Sequence, residues 1–186
     1  DALNNLIARE IADLIKQNNQ HGKETSLILP VGPLNYTYLA KICNKERINL
    51  SLIQIYMMDE YLDDRGNLIS EDHPLSFRRY MRESFIASLD SDLQMSMERV
   101  VFPDPGNISA VTDAILDRGG VQACYGGLGI TGHFAFNDPP EPGEHMTLND
   151  LRNTTARVLT ISRESSTQMA MSGTYGNWEI LPRQAV

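Results

Sequence analysis

Residues 50–58 read Leu-Ser-Leu-Ile-Gln-Ile-Tyr-Met-Met, a nearly continuous apolar run of strand length that ends on Asp59-Glu60. Successive strand residues point to opposite faces, so a run that is apolar at both sets of positions must be covered on both sides. That is the condition of an inner strand in a parallel sheet packed between helices. Residues 26–29 form a second short run, stopped by Pro30 and Gly32. Residues 121–125 and 157–161 are further strand candidates.

Helical periodicity fills the intervals. Residues 2–20 carry Leu3, Leu6, Ile7, Ile11, Leu14 and Ile15 as one apolar stripe, closed by Asn18, Asn19 and Gly22. Leu34, Tyr38, Leu39 and Ile42 define a second helix, with Gly32 as N-cap and Pro33 at its first position. Pro74 opens a third, running to about Leu89 with Phe77, Met81 and Phe85 in step; residues 110–116 and 164–171 are two more. Short buried strands alternating with amphipathic helices predict an α/β three-layer sandwich. Its sheet is Rossmann-like and mostly parallel, with helices on both faces. No repeat, low-complexity tract or linker interrupts residues 1–186, which therefore read as one domain.

A net charge of −8 argues against binding to nucleic acid or to an anionic membrane surface, but leaves an anionic small molecule open. Arg78, Arg79 and Arg82 fall on one helix and read as its solvated face. Cys43 and Cys124 sit in apolar periodic segments, as two buried reduced thiols rather than a disulfide framework. No apolar run approaches the roughly 20 residues of a membrane helix, and no signal-peptide pattern is evident. The expected compartment is cytoplasmic. No His, Cys, Asp and Glu spacing matches a ligand set, so no metal site is expected.

In parallel sheets, ligands bind in the loops that follow the carboxyl ends of strands. Three such loops stand out: residues 30–33, residues 59–61, and residues 126–140. Gly127, Gly129 and Gly132 satisfy G-x-G-x-x-G formally, but Pro139 and Pro140 follow too soon for the helix that a dinucleotide site needs. No Gly-Lys-Ser/Thr is present, which removes a Walker-type loop. What remains is a glycine turn able to approach a ligand, with the imidazole of His133 at its edge and Asn137-Asp138 close behind. His21 and His145 read as surface residues, and His73 as a loop residue at a helix entry. Asp59 and Glu60 are either ligand-facing carboxylates or a helix cap.

Taken together, Met58-Asp59-Glu60-Tyr61, His73-Pro74-Leu75-Ser76-Phe77 and Gly127-x-Gly129-x-x-Gly132-His133-Phe134-Ala135-Phe136-Asn137-Asp138-Pro139 resemble the glucosamine-6-phosphate isomerase/deaminase family, which is related to the 6-phosphogluconolactonases. The resemblance covers nearly the whole chain and implies a family domain without its C-terminal part. It implies aldose–ketose isomerisation of a sugar phosphate with loss of the C2 amine, and no cofactor. Asp59 would be the base that moves a proton between C1 and C2, and His133 would assist ring opening. Asp138 would take the place of the family glutamate beside that histidine. Gly32, Glu60, Tyr61, Gly127, Gly129, Thr131, Gly132 and Asn137 would bind the substrate. The expected partner is a phosphorylated sugar, with a homo-oligomer also open.

The sequence departs from the family pattern at several places. Thr131 stands where a carboxylate is usual two residues before the histidine, and Val31-Gly32-Pro33-Leu34 replaces a Thr-Gly-Gly-Thr-Pro-like phosphate loop. Met171-Ser172 falls near a family arginine position. A sugar-phosphate-binding or regulatory homologue with impaired catalysis is therefore the alternative, and a lactonase-like hydrolase the third reading.

Overall fold

The computed structural model describes residues 2–93, 95–140 and 143–186. In chain order its elements are α1 (Ala2–Gln20), β1 (Thr25–Leu29), α2 (Thr37–Glu46), β2 (Ile53–Met57), β3 (Tyr61–Leu62), α3 (Phe77–Ser84), β4 (Val100–Val101), α4 (Ser109–Asp117), β5 (Ala123–Cys124), α5 (Leu148–Arg152), β6 (Leu159–Thr160), α6 (Arg163–Gly173) and β7 (Gln184–Ala185).

All residues of β2 are buried, as its apolar run requires. It lies inside a parallel sheet of order β4-β2-β1-β5, in register Leu27↔Ile55 and Leu29↔Met57 with β1. One face of this sheet turns Leu27, Leu29, Ile53, Ile55 and Met57 into the main core, where they join Ile11 and Ile15 of α1 and Leu39 and Cys43 of α2. Each fully buried aliphatic side chain contributes about 1.5–3 kcal/mol relative to exposure. The opposite face carries Gln54 and Tyr56. Tyr56 Oη donates to Ala114 O of α4 at 3.1 Å, and Gln54 Nε2 donates to Arg99 O in the 3-10 turn at Met97–Arg99, also at 3.1 Å. The parallel sheet is thus flanked by helices, an α/β arrangement of the Rossmann-like kind anticipated from the sequence.

The differences are local. In α1 the buried set is Ala8, Ile11, Ala12 and Ile15, while Leu3 and Leu6 remain 57% and 65% exposed. The second helix starts at Thr37, not at Gly32-Pro33. Asn35 Oδ1 accepts from Thr37 N at 3.0 Å and occupies the donor that a preceding helical turn would have used. The third begins at Phe77 rather than Pro74, because Ser76 Oγ caps it by accepting from Arg79 N. It ends at Ser84 and gives way to a 3-10 turn at Ile86–Ser88. Cys43 is buried as expected, but Cys124 is exposed.

An element absent from the sequence reading is a second sheet, antiparallel, of order β3-β7-β6. Glu60 and Val186 exchange both backbone hydrogen bonds at 2.9 Å and extend its pairing towards β2. Tyr61, Ile69, Ile161 and Ala185 form its small core, against which Phe77, Phe136 and Met169 pack. Among the described residues, no helix is long and apolar enough to cross a membrane.

Candidate active site

A cavity of about 420 Å³ opens at the carboxyl ends of the parallel strands. The loop after β1 supplies residues from Pro30 to Pro33, the loop after β2 supplies Met58 and Asp59, and the loop after β5 supplies Gly127, Gly129 and His133. The antiparallel sheet and α3 add Tyr61 and Phe77, and α6 adds Gln168, Met169 and Ser172. Asp59 and His133, 74 positions apart by their numbering, therefore line one cavity. No lysine or arginine is among its lining residues.

Asp59 ends the most deeply buried strand and is itself 8% exposed. Burial, with a smaller contribution from the charge of Glu60, raises its carboxyl to about 7. Such a group can both take and return a proton near neutral pH. Glu60 points the other way and is fully buried. It accepts from the backbone N–H groups of Tyr61 (2.9 Å), Phe77 (3.1 Å) and Arg78 (2.9 Å), and pairs with Arg78 Nε at 3.3 Å. It thus ties the start of α3 to the end of β2 and stands behind the cavity wall rather than on it. Asp59 faces the cavity, while Glu60 takes the helix-capping role.

His133 lies under the glycine turn. Gly129 N donates to His133 O at 3.0 Å, and a Cβ on Gly129 would lie 2.0 Å from His133 Nε2. Only a glycine leaves room for this ring. Gly132 adopts φ +81°, where glycine is unstrained. His133 Nδ1 lies 3.0 Å from Asp138 Oδ1, 3.0 Å from Thr131 Oγ1 and 2.9 Å from Ser165 Oγ. Partial burial pushes the Asp138 carboxyl up. Hydrogen bonds from Thr131, Ser162, Ser165 and His133 together outweigh that effect, so it ends below its ordinary value. Asp138 thus keeps a carboxylate in contact with the ring.

Immediately after the histidine, residues 134–140 form no helix. Ala135 and Phe136 both take left-handed conformations, φ 52° and 57°, and both line the cavity. Non-glycine residues are rarely found there and are held by their surroundings. Asn137 is what holds them: its Nδ2 donates to Phe134 O at 2.9 Å and to Ala135 O at 3.2 Å, and its Oδ1 accepts from Arg157 at 2.9 Å. Of the residues singled out in the sequence, Gly32, Asp59, Tyr61, Gly127, Gly129 and His133 line the cavity. Thr131, Gly132, Asn137 and Asp138 support it from behind. Ser172, noted in the sequence with Met171, lines the cavity too. Ser165, Gln168 and Met169 were not foreseen; they occur on a helix whose sequence carries no motif. Among the described residues no cluster of His, Cys, Asp and Glu could hold a metal ion.

No protein-family model matches the chain. Curated relatives do. Over 168 residues it is 29% identical to a glucosamine-6-phosphate deaminase of Tolumonas auensis, covering 85% of this chain and 56% of that protein. Over 119 residues it is 33% identical to a glucosamine-6-phosphate deaminase of Aedes aegypti, covering 61% of this chain and 41% of the relative. The chain thus spans about half the length of these relatives. A solved monomeric glucosamine-6-phosphate deaminase, described as a missing link of the NagB superfamily, superimposes with a TM-score of 0.70 at 23% identity, over 98% of this chain and 70% of its own. The fold and the site define a parallel α/β protein with a carboxylate and an imidazole at its strand ends. In sequence the chain is similar to glucosamine-6-phosphate deaminases, and in fold to the solved one.

Proposed function

We propose that the protein isomerises an amino-sugar phosphate of the glucosamine-6-phosphate type, with release of the C2 amine as ammonia. The observation that carries this reading is the meeting of Asp59 and His133 on one cavity, with a buried carboxyl adjusted to neutral pH. His133 serves ring opening by passing the anomeric hydroxyl proton to the ring oxygen as the C1–O bond breaks. Asp59 then takes the C2 proton, giving an enolamine, and delivers it to C1, which leaves an iminium at C2. Water adds to C2, the C–N bond breaks, and ammonia leaves the C2 ketone. Asp138 keeps the imidazole oriented. The amino-sugar phosphate is taken from the names of the relatives, and the two free thiols fit a reducing, cytoplasmic setting.

The test is ammonia and ketose phosphate production from glucosamine-6-phosphate by the wild-type chain, abolished in Asp59→Asn. Absence of turnover across hexosamine phosphates rejects the reading. A second reading is favoured by one observation, Thr131 in the place of a second carboxylate: a homologue that binds a sugar phosphate without converting it. It predicts thermal stabilisation by the ligand with no product, and turnover gained in Thr131→Asp.

A further inference from the structure

We propose that Ser165, on the first turn of α6, is a positioning residue that fixes the tautomer of His133. Ser165 is 1% exposed, and its backbone N–H donates to the N-cap Ser162 Oγ at 3.1 Å, which fixes its backbone at the helix start. Its hydroxyl lies 2.9 Å from His133 Nδ1 and 3.1 and 3.3 Å from the two Asp138 oxygens. Thr131 Oγ1 makes the same pair of contacts from the other side, 3.0 Å to Nδ1 and 2.6 Å to Asp138 Oδ1.

Counting protons leaves one arrangement. An ionised carboxylate only accepts, so the single proton of each hydroxyl goes to Asp138. Both hydroxyl oxygens then offer lone pairs to Nδ1, as the carboxylate does. A lone pair on Nδ1 would face three acceptors within 3.0 Å and be repelled by all of them. Nδ1 therefore carries the proton, and Nε2 is the bare nitrogen. Two hydroxyls and one carboxylate do here what a pair of carboxylates would do, without concentrating negative charge on the ring.

The placement of Ser165 adds a second role. Positions 165, 168, 169 and 172 recur at helical spacing, so the face that holds His133 also brings Gln168, Met169 and Ser172 to the cavity. One helix thus contributes both to the orientation of the imidazole and to that wall.

The decisive measurement is the tautomer of His133 by nitrogen-15 NMR of the imidazole, in the full chain at neutral pH. Wild type is expected to show the Nδ1-protonated form, and Ser165→Ala a mixture containing the Nε2-protonated form. Ser165→Thr retains the hydroxyl and should restore the wild-type signature. For turnover, which rests on the function proposed above, Ser165→Ala should lower kcat about tenfold with KM nearly unchanged, the scale of one hydrogen bond to a charged group. A wild-type tautomer in Ser165→Ala overturns the proposal, as does a Ser165→Thr variant as perturbed as Ser165→Ala. Should wild type show no turnover while its tautomer still depends on Ser165, the functional reading fails and the positioning role stands.

Discussion

Asp59 occupies a position where a charge is costly, between the end of a wholly buried strand and the fully buried Glu60. With its carboxyl raised to about 7, the folded protein binds this proton more tightly than the unfolded chain does. The associated stability is fully present below the ordinary carboxylate range and is lost as pH rises through about 7. An asparagine side chain cannot ionise, so Asp59→Asn should gain stability over wild type on going from pH 5 to pH 8, on the order of 2–3 kcal/mol. Thermal denaturation at the two pH values checks this, and a constant difference would refute it. In turnover, the same carboxyl should give kcat/KM an acid limb that levels off near pH 7. Gly129 offers a second test at a single residue. Gly129→Ala places a methyl 2.0 Å from His133 Nε2, and the ring is the group that can move. Loss of turnover with little change in Tm is expected; retained activity would mean that the ring is not where catalysis needs it.

Among the elements, α3 is held by a partner that its own sequence does not contain. Its first N–H groups have no helical acceptor, and Phe77 and Arg78 donate theirs to Glu60, 17 and 18 positions upstream. Ser76 Oγ also donates to Glu60 Oε2, at 3.3 Å. Glu60→Gln keeps the shape but removes the charge and turns one acceptor into a donor. It should destabilise the protein by about 3 kcal/mol, the scale for breaking a buried charge pair. Urea denaturation measures this, and a loss under about 1 kcal/mol would show that α3 is anchored by its apolar face instead. That face is well defined, with Met81 and the following Phe85 both at 0% exposure.

At the scale of the molecule, two sheets meet at the end of β2: the parallel one presents the loops, and the antiparallel one builds a wall. Removing residues 184–186 deletes β7, the partner of both β3 and β6, together with the Val186–Glu60 backbone pair beside Asp59. Amide exchange should then accelerate at Glu60, whose N–H donates to Val186 O, while β1 and β2 amides stay protected. Equal acceleration everywhere would mean that the two sheets unfold as one unit. The parallel sheet, most of the helices and the three loops at its strand ends were legible in the sequence, because each is specified by neighbours within a few residues. An unbroken apolar run says that both faces are covered, and Pro and Gly say where a strand stops. The motif at residues 127–139 likewise drew attention to His133 and Asp138, which meet at 3.0 Å in the folded chain. What the sequence left undecided was long-range: β7 is two residues long and acquires its identity only by pairing, Glu60 faces a helix rather than the cavity, and Ser165 reaches His133 from 32 positions away. Local composition determines which elements can form. Which carboxylate faces the cavity and which hydroxyls hold the imidazole were decided by packing, since hydrogen bonds at 2.9–3.3 Å depend on the distance between elements and not on the order of letters within one.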